Sequence, residues 1–241
     1  MSNDPRTEST SPSPVAVVTG ASQGLGRALT AALVNRGWHV VVDARRSERL
    51  AEAVTAFGPD RVTPVVGDVT DPDHRNALVA AAHRQPGPVR LLVNNASTLG
   101  ASPLPPLDAL SPAVLERTFA VNVVAPVALT AALLPELAPA ATVVNITSDA
   151  AVEAYEGWGA YGSTKAALEH ASRVLAVEHP ELRVLAVDPG DLRTEMHQDA
   201  FPGEDISDRP PPESAVPGLL ALIEGDQPSG RYAASAVAVT P

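Results

Sequence analysis

Val15–Thr19 reads VAVVT and passes without a break into Gly20-Ala21-Ser22-Gln23-Gly24-Leu25-Gly26, after which Leu25–Asn35 (LGRALTAALVN) takes helical spacing. The apolar run is the pattern of a strand buried on both faces, as in a parallel sheet. Glycines between a strand and a helix let the backbone turn sharply and come close to a pyrophosphate, with no Cβ in the way. The helix start adds free N–H groups and the positive end of a dipole. A glycine cluster also serves in ordinary tight turns; its place between strand and helix is what favours an anion cradle.

The same alternation continues outward from that stretch. Strands are predicted over His39–Ala44, Val62–Gly67, Val89–Asn94, Ala141–Ser148, Leu182–Asp188 and Arg231–Val239. Helices are predicted over Ser47–Phe57, Asp71–Arg84, Pro112–Leu137, Tyr161–Glu178 and Glu213–Glu224, with a Pro-rich loop running to Pro106. Strands joined by helices give a doubly wound, Rossmann-like α/β fold: one parallel sheet of about seven strands with helices on both faces. No composition shift marks a second domain. Residues 15–241 read as one domain behind a polar Pro/Ser-rich tail at 1–14, expected to be disordered. Sheets of this kind bind ligands at the carboxyl ends of their strands, so the informative residues should follow strands.

Composition narrows the function. There are 17 basic and 28 acidic residues, a net charge of −11, and no basic stripe, which argues against nucleic acid. Cysteine is absent, which excludes disulfides, thiolate zinc sites and cysteine nucleophiles. No apolar run reaches the roughly 20 residues of a bilayer span, and the tail lacks the apolar stretch of a signal peptide. The expectation is a cytoplasmic protein with no membrane partner. No His-Glu-x-x-His or Asp cluster points to a metal. No Gly-x-Ser-x-Gly elbow points to a serine hydrolase, and no lysine follows the glycines as phosphoryl transfer would need.

Lys165 is the single lysine among these basic residues; the others are arginines. It closes Tyr161-Gly162-Ser163-Thr164-Lys165, so it shares a helical face with Tyr161. A phenol titrates near about 10, too high for efficient proton exchange at neutral pH, and a nearby ammonium lowers that value. Ser148 closes a predicted strand thirteen residues earlier, and its hydroxyl could polarise a carbonyl oxygen. Asn122 lies four residues before Pro126 inside a predicted helix. Proline has no N–H, so the Asn122 carbonyl loses its helical donor and is open to a water, or the site is simply a kink.

Together, Thr19-Gly20-x-x-x-Gly24-x-Gly26 and Tyr161-x-x-x-Lys165 resemble the TGxxxGxG and YxxxK motifs of the short-chain dehydrogenase/reductase family, over about Val15–Thr194. The resemblance implies a catalytic tetrad of Asn122, Ser148, Tyr161 and Lys165. Tyr161 would be the general acid/base, Ser148 would position the carbonyl, and Lys165 would bind ribose and lower the phenol. The Asn122 backbone would anchor a water relay.

The resemblance also implies cofactor contacts at Gly20, Ser22, Gln23, Gly24, Leu25 and Gly26, and again at Tyr161 and Lys165. Asp68 and Val69 would meet the adenine. Asn94-Asn95-Ala96 resembles the family's NNAG motif, with Ser97 in place of the last glycine, and brings in Asn95 and Ala96. Pro189, Gly190, Leu192 and Thr194 would hold the nicotinamide half.

Counted from Gly37, the acid of NAD-preferring members falls on Ala44. Asp43 is one residue early and points to the other face of its strand. Arg45, with Arg46 beside it, falls where NADP-preferring members carry arginine, so NADP(H) is the expected cofactor. Leu99, Tyr155, Trp158 and Met196 are candidate substrate contacts, under a lid at about 191–212.

The implied function is reduction of a ketone or aldehyde, or the reverse oxidation of an alcohol, by a homodimer or homotetramer. A redox-neutral epimerase or dehydratase using the same tetrad, and a non-catalytic NADP-binding sensor, remain open.

Overall fold

The computed structural model describes residues 12–58 and 60–237. Seven strands form one sheet in the order β3-β2-β1-β4-β5-β6-β7, and every pairing is parallel. They are β1 Val15–Val18, β2 His39–Ala44, β3 Val62–Val66, β4 Val89–Asn94, β5 Leu137–Ile146, β6 Arg183–Asp188 and β7 Gly230–Ala233. The crossovers carry α1 Gly24–Asn35, α2 Ser47–Phe57, α3 Pro72–His83, α4 Pro112–Phe119, α5 Ala125–Leu133, α6 Gly159–Glu178, α7 Glu195–Ala200 and α8 Val216–Glu224.

Strand alternation produces two cores, one on each face. Ala16, Val18, Val40 and Val42 pack with Leu29, Leu33, Leu219 and Leu222 from α1 and α8. Val15, Val17 and Val41 pack with Leu78, Leu129 and Leu133 from α3 and α5. Pro64 is tolerated in β3 because β3 is an edge strand.

Several boundaries differ from the sequence expectation, each for a local reason. The predicted helix Pro112–Leu137 is one continuous helical segment with a π turn, Ala120–Val124, between α4 and α5. There the Ala125 N–H reaches back five residues to the Ala120 carbonyl. Pro126 has no N–H for the Asn122 carbonyl, and the widened turn is how the helix passes that break. This 25-residue helix, Pro112–Glu136, has the length and hydropathy of a membrane span, which corrects the expectation that no stretch does. Its buried Asn122 and Thr130 hydrogen-bond to Thr98, Thr164 and Asn94 of neighbouring segments, the behaviour of a core helix.

β5 begins at Leu137, earlier than expected, with a register shift against β4 that accommodates Ala140 at positive φ. The last strand is short, since Ala234–Ala236 form a 3-10 turn; its predicted end at 238–239 lies outside the described residues. Most of the expected N-terminal tail also lies outside them, but its end is held. The Pro14 carbonyl accepts from His39 N–H at 3.0 Å, and Ser13 Oγ accepts from Arg61 at 3.2 Å. Within the expected lid, α7 is an ordered helical turn capped by the Thr194 hydroxyl.

Candidate active site

The chain leaves β1 toward β2 and leaves β4 toward β5, so a crevice opens at the carboxyl ends of β1 and β4. Its floor is stitched together by Thr19. The Thr19 hydroxyl accepts from Asn95 N–H and Ala96 N–H, each at 3.0 Å, and Asn95 Nδ2 donates back to the carbonyls of Thr19 (2.8 Å) and Gly20 (3.2 Å). Asn95, expected at the cofactor, therefore uses its side chain as a brace for the glycine loop. A Cβ at Gly26 would stand 2.5 Å from Asn95 Nδ2 and 2.6 Å from the Gly20 carbonyl, so only glycine fits. Gly20 and Gly24 hold φ of +68° and +54°.

Helix α1 starts at this loop with no side-chain cap and no acidic residue in its first turn. Its free N–H groups and positive dipole end thus suit the pyrophosphate of a dinucleotide. Ser22, Gln23 and Leu25 line the same turn. A Cβ at Gly24 would touch Thr194 Cγ2 at 3.4 Å, which sets Thr194 across from the loop. Gly190 N–H donates to Asp188 Oδ1 at 2.9 Å, so Pro189 and Gly190 make a tight turn out of β6, while Leu192 is buried in the core.

At the end of β2 the register falls as expected. Ala44 packs in the α1-side core. Asp43 is buried on the opposite face, accepting from Gly20 N–H at 2.7 Å and pairing with His74 Nε2 at 3.0 Å. Its carboxylate is committed to the glycine loop and to His74. Arg45 and Arg46 are exposed beside it. Arg46 pairs with Glu195 at 3.5 Å. Arg49, which the sequence reading missed, reaches both Glu195 (2.6 Å) and the Gln23 amide oxygen. Its three-residue spacing from Arg46 on α2 was the available signal.

Asp68 accepts from Thr70 N–H (2.9 Å), Thr70 hydroxyl (2.7 Å) and Arg117 (2.7 Å). Partial burial alone would raise this carboxyl; the three donors outweigh it and hold it near 2. Val69 packs with Ala96, Val121 and Ala125, and Arg117 is a second residue the sequence did not single out.

The four tetrad residues converge at the ends of β4 and β5. Ser148 follows β5, donates to Asp149 Oδ1 at 2.9 Å and caps the 3-10 turn Asp149–Ala151. Gly162 packs α6 against that turn so closely that a Cβ would meet the Ala150 carbonyl at 2.5 Å. This close approach sets Tyr161 beside Ser148. Lys165 Nζ donates to the Ile146 carbonyl at 2.8 Å and lies 5.3 Å from the Tyr161 ring centre. Burial lowers the Lys165 ammonium to about 8.

The phenol itself departs from the expectation that Lys165 would lower it. Burial, then the Asp188 carboxylate and more weakly Asp149, push it well above its ordinary value, against the lowering effects of the Ser148 hydroxyl and, more weakly, the Ser97 hydroxyl. Lys165 Nζ is directed at a backbone carbonyl, and burial is the largest cause of the raised phenol. Asn122 acts through its side chain as well as its backbone. Oδ1 accepts from Ser97 hydroxyl (3.1 Å) and Thr98 N–H (2.9 Å), and Nδ2 donates to the Thr98 carbonyl (2.8 Å) and Thr164 hydroxyl (3.0 Å). Ser97, the departure from NNAG, is thus tied to both Asn122 and Tyr161.

Above Tyr161 lies an apolar cluster of Leu99, Ala150 and Ala200 with Leu104, Trp158, Met196 and Phe201. Trp158 meets the Tyr161 ring edge-on at 5.6 Å and Phe201 at 6.0 Å. Three of the expected substrate contacts, Leu99, Trp158 and Met196, come together here. Tyr155 does not: it is exposed at the rim and donates to Asp149 Oδ2 at 3.0 Å. Leu104 and Phe201 were missed, because neither falls in a motif.

The model of the short chain dehydrogenase family matches residues 14–205. A sepiapterin reductase of Bos taurus is 34% identical over 197 residues, covering 76% of this chain and 74% of that protein. A solved short chain dehydrogenase of Shigella flexneri, complexed with NADP, superposes with a TM-score of 0.85 at 28% identity, covering 93% of this chain and 98% of that one. Another, from Escherichia coli CFT073 and complexed with NADPH, gives a TM-score of 0.84 at 29% identity, covering 93% and 97%.

The Asp43 tether generates a prediction. Asp43→Ala removes the acceptor of the Gly20 N–H and leaves His74 buried without its carboxylate. Lost charge-assisted bonds of this kind are worth about 1.5–3 kcal/mol, or roughly tenfold or more in affinity if expressed at the loop. Fluorescence titration should show dinucleotide binding weakened by about that factor, with a lowered melting temperature. Unchanged binding would mean the loop holds its shape without Asp43.

Proposed function

The chain belongs to the short-chain dehydrogenase/reductase family, and from that premise we propose that it reduces a ketone or aldehyde with NADPH. The observation that carries this reading is a buried tyrosine whose phenol is held above its ordinary value, between a strand-end serine and an apolar cluster. A bound nicotinamide would supply the hydride.

The chain's own groups do the rest. The Ser148 hydroxyl holds the carbonyl oxygen, which becomes negative as hydride arrives. Tyr161 carries its proton at neutral pH, because its phenol titrates well above that range. It is therefore set to donate to that oxygen, the direction of reduction. Alcohol oxidation needs the phenolate, so its rate should climb as pH rises. Lys165, buried and mostly protonated at neutral pH, would hold ribose hydroxyls and stabilise the phenolate once formed. Leu99, Trp158, Met196 and Phe201 exclude water and favour an apolar, aromatic-sized carbonyl compound.

The preference for NADP(H) rests on Asp43 being buried, on Arg45 being exposed at the end of β2, and on Arg46 and Arg49 beside it, which both pair with Glu195. The NADP and NADPH bound in the similar solved structures agree with it. A homo-oligomeric state is part of the same proposal. The Pro112–Glu136 helix exposes Val124 and Val127, and α6 exposes Val174 and Val177, the last at 81%. Apolar faces on two neighbouring helices suit a two-fold interface.

Tyr161→Phe removes only the transferable proton. NADPH oxidation across a panel of ketones and aldehydes should lose at least about 10²-fold in kcat while NADPH binding persists. Retained activity would exclude the tyrosine mechanism.

Arg45→Ala should weaken NADPH binding by roughly ten- to a hundredfold, the weight of a charge-assisted phosphate contact, and leave NADH almost unchanged. Equal losses for both cofactors would give Arg45 another role.

Sedimentation equilibrium at micromolar concentration should return a dimer or tetramer of the 24.9 kDa chain, and Val177→Glu should shift it toward monomer. A wild-type monomer would overturn the assembly.

A further inference from the structure

Four residues beyond Lys165, on the same face of α6, lies Glu169. It is 95% buried, at 5% exposure, and its Oε1 accepts from the Thr147 hydroxyl and from Arg231 Nε, each at 2.8 Å. Arg231 comes from the edge strand β7. Its Nη2 reaches the Ser148 carbonyl at 3.3 Å and Asp188 Oδ2 at 3.3 Å. One planar guanidinium thus joins the Ser148 carbonyl just past β5, the carboxylate that ends β6 and, through Glu169, the stripe of α6 that carries Tyr161 and Lys165, with Thr147 held by the same Glu169 carboxylate. A lysine, as a point charge, would not span these acceptors with fixed geometry.

A buried carboxylate is costly unless paired, and a buried pair is weak evidence of stability in itself. Its placement is what distinguishes this one. The groups facing the Tyr161 phenol are Asp149 from the 3-10 turn, Asp188 from β6, Lys165 from α6, and the Ser148 and Ser97 hydroxyls. Of the two carboxylates, Asp149 is bound by the hydroxyls of Ser148 and Tyr155 and by Ala150 N–H, all neutral donors. Asp188 alone has a cation, Arg231.

We propose that Arg231, locked by Glu169, is a positioning residue for the reaction: it fixes the Ser148 backbone and balances the Asp188 charge beside Tyr161. The proposal rests on the reductase reading and adds to it a residue outside the tetrad. The two effects separate by chemistry. Charge balance at Asp188 sets where the phenol ionises; the Nη2 donor on the Ser148 carbonyl, held by the Nε–Glu169 pair, sets how well the Ser148 hydroxyl is aimed.

The test uses the purified protein, with the best carbonyl and its alcohol taken from the wild-type panel. The pH profile of alcohol oxidation, which needs the phenolate, reads the charge effect. In Arg231→Gln, Asp188 is left unbalanced, so the ascending limb should move to higher pH by about one unit, the scale of one neighbouring charge. Carbonyl-reduction kcat should fall by about tenfold or more through misplacement of Ser148, with NADPH affinity unchanged. Arg231→Lys should restore the limb and leave kcat low. Arg231→Gln with Glu169→Gln, which leaves no unpaired buried charge at 169, guards against misfolding. It should melt close to wild type and keep the shifted limb; a limb that returns to the wild-type pH in this folded double variant overturns the proposal. So does a wild-type limb and kcat in folded Arg231→Gln. Wild-type turnover that is lost in Tyr161→Phe establishes the reductase reading separately, so either of those results would overturn the role of Arg231 alone.

Discussion

The Thr19 hydroxyl is the joint on which the active crevice depends. It sits where β1 ends, donates to the Val93 carbonyl and accepts two N–H groups from the segment that leaves β4. A parallel sheet separates at this point because the chain turns outward in both directions, so backbone groups that would pair along a continuous strand lose their partners. One side chain with donor and acceptor capacity closes that gap. Asn95 and Asp43 then complete the loop from opposite sides, one on carbonyls and the other on the Gly20 N–H. The glycine loop keeps an open, uncapped helix start because its polar groups are satisfied from behind. That geometry admits an anion in front.

Helix α6 carries the second half of the design. Tyr161, Lys165 and Glu169 repeat every four residues on its inward face, and each is buried. Burial alone pushes the phenol up, pulls the ammonium down and would penalise the carboxylate. The three are met differently. Glu169 receives Thr147 and Arg231, Lys165 receives the Ile146 carbonyl, and Tyr161 receives neutral hydroxyls and opposing carboxylates. The outcome is a graded stripe: a paired anion at the far end, a cation of lowered affinity for its proton in the middle, and a protonated acid at the mouth.

Much of this was legible in the sequence. Short apolar runs alternating with helical spacing gave away the strands, and the glycine run lies between β1 and α1 as read. The one-residue argument about Asp43 and Ala44 held because strand faces alternate without exception along β2. What the sequence hid was of another kind. Pro126 announced a break at Asn122, but not that the helix would widen into a π turn and continue. Asn95 sat in a motif read as a cofactor contact, yet its amide braces the loop, because a motif position does not say which way a side chain points. Arg49, Arg117 and Arg231 come from different elements, and only the closed fold brings each to its carboxylate. Tyr155, expected near the mouth by position, turns instead to Asp149.

The solitary lysine shows how composition and burial combine. Arginine serves at every other basic position, mostly exposed or paired with carboxylates. Lys165 is 2% exposed with its Nζ on a carbonyl. An arginine there would bury a larger, permanently charged fork with more donors than the pocket has acceptors, and it cannot release a proton in a protein. A lysine presents a compact charge whose ammonium burial lowers to about 8. The chain's bias toward arginine stops at a position where the buried cation is compact and burial lowers its affinity for a proton.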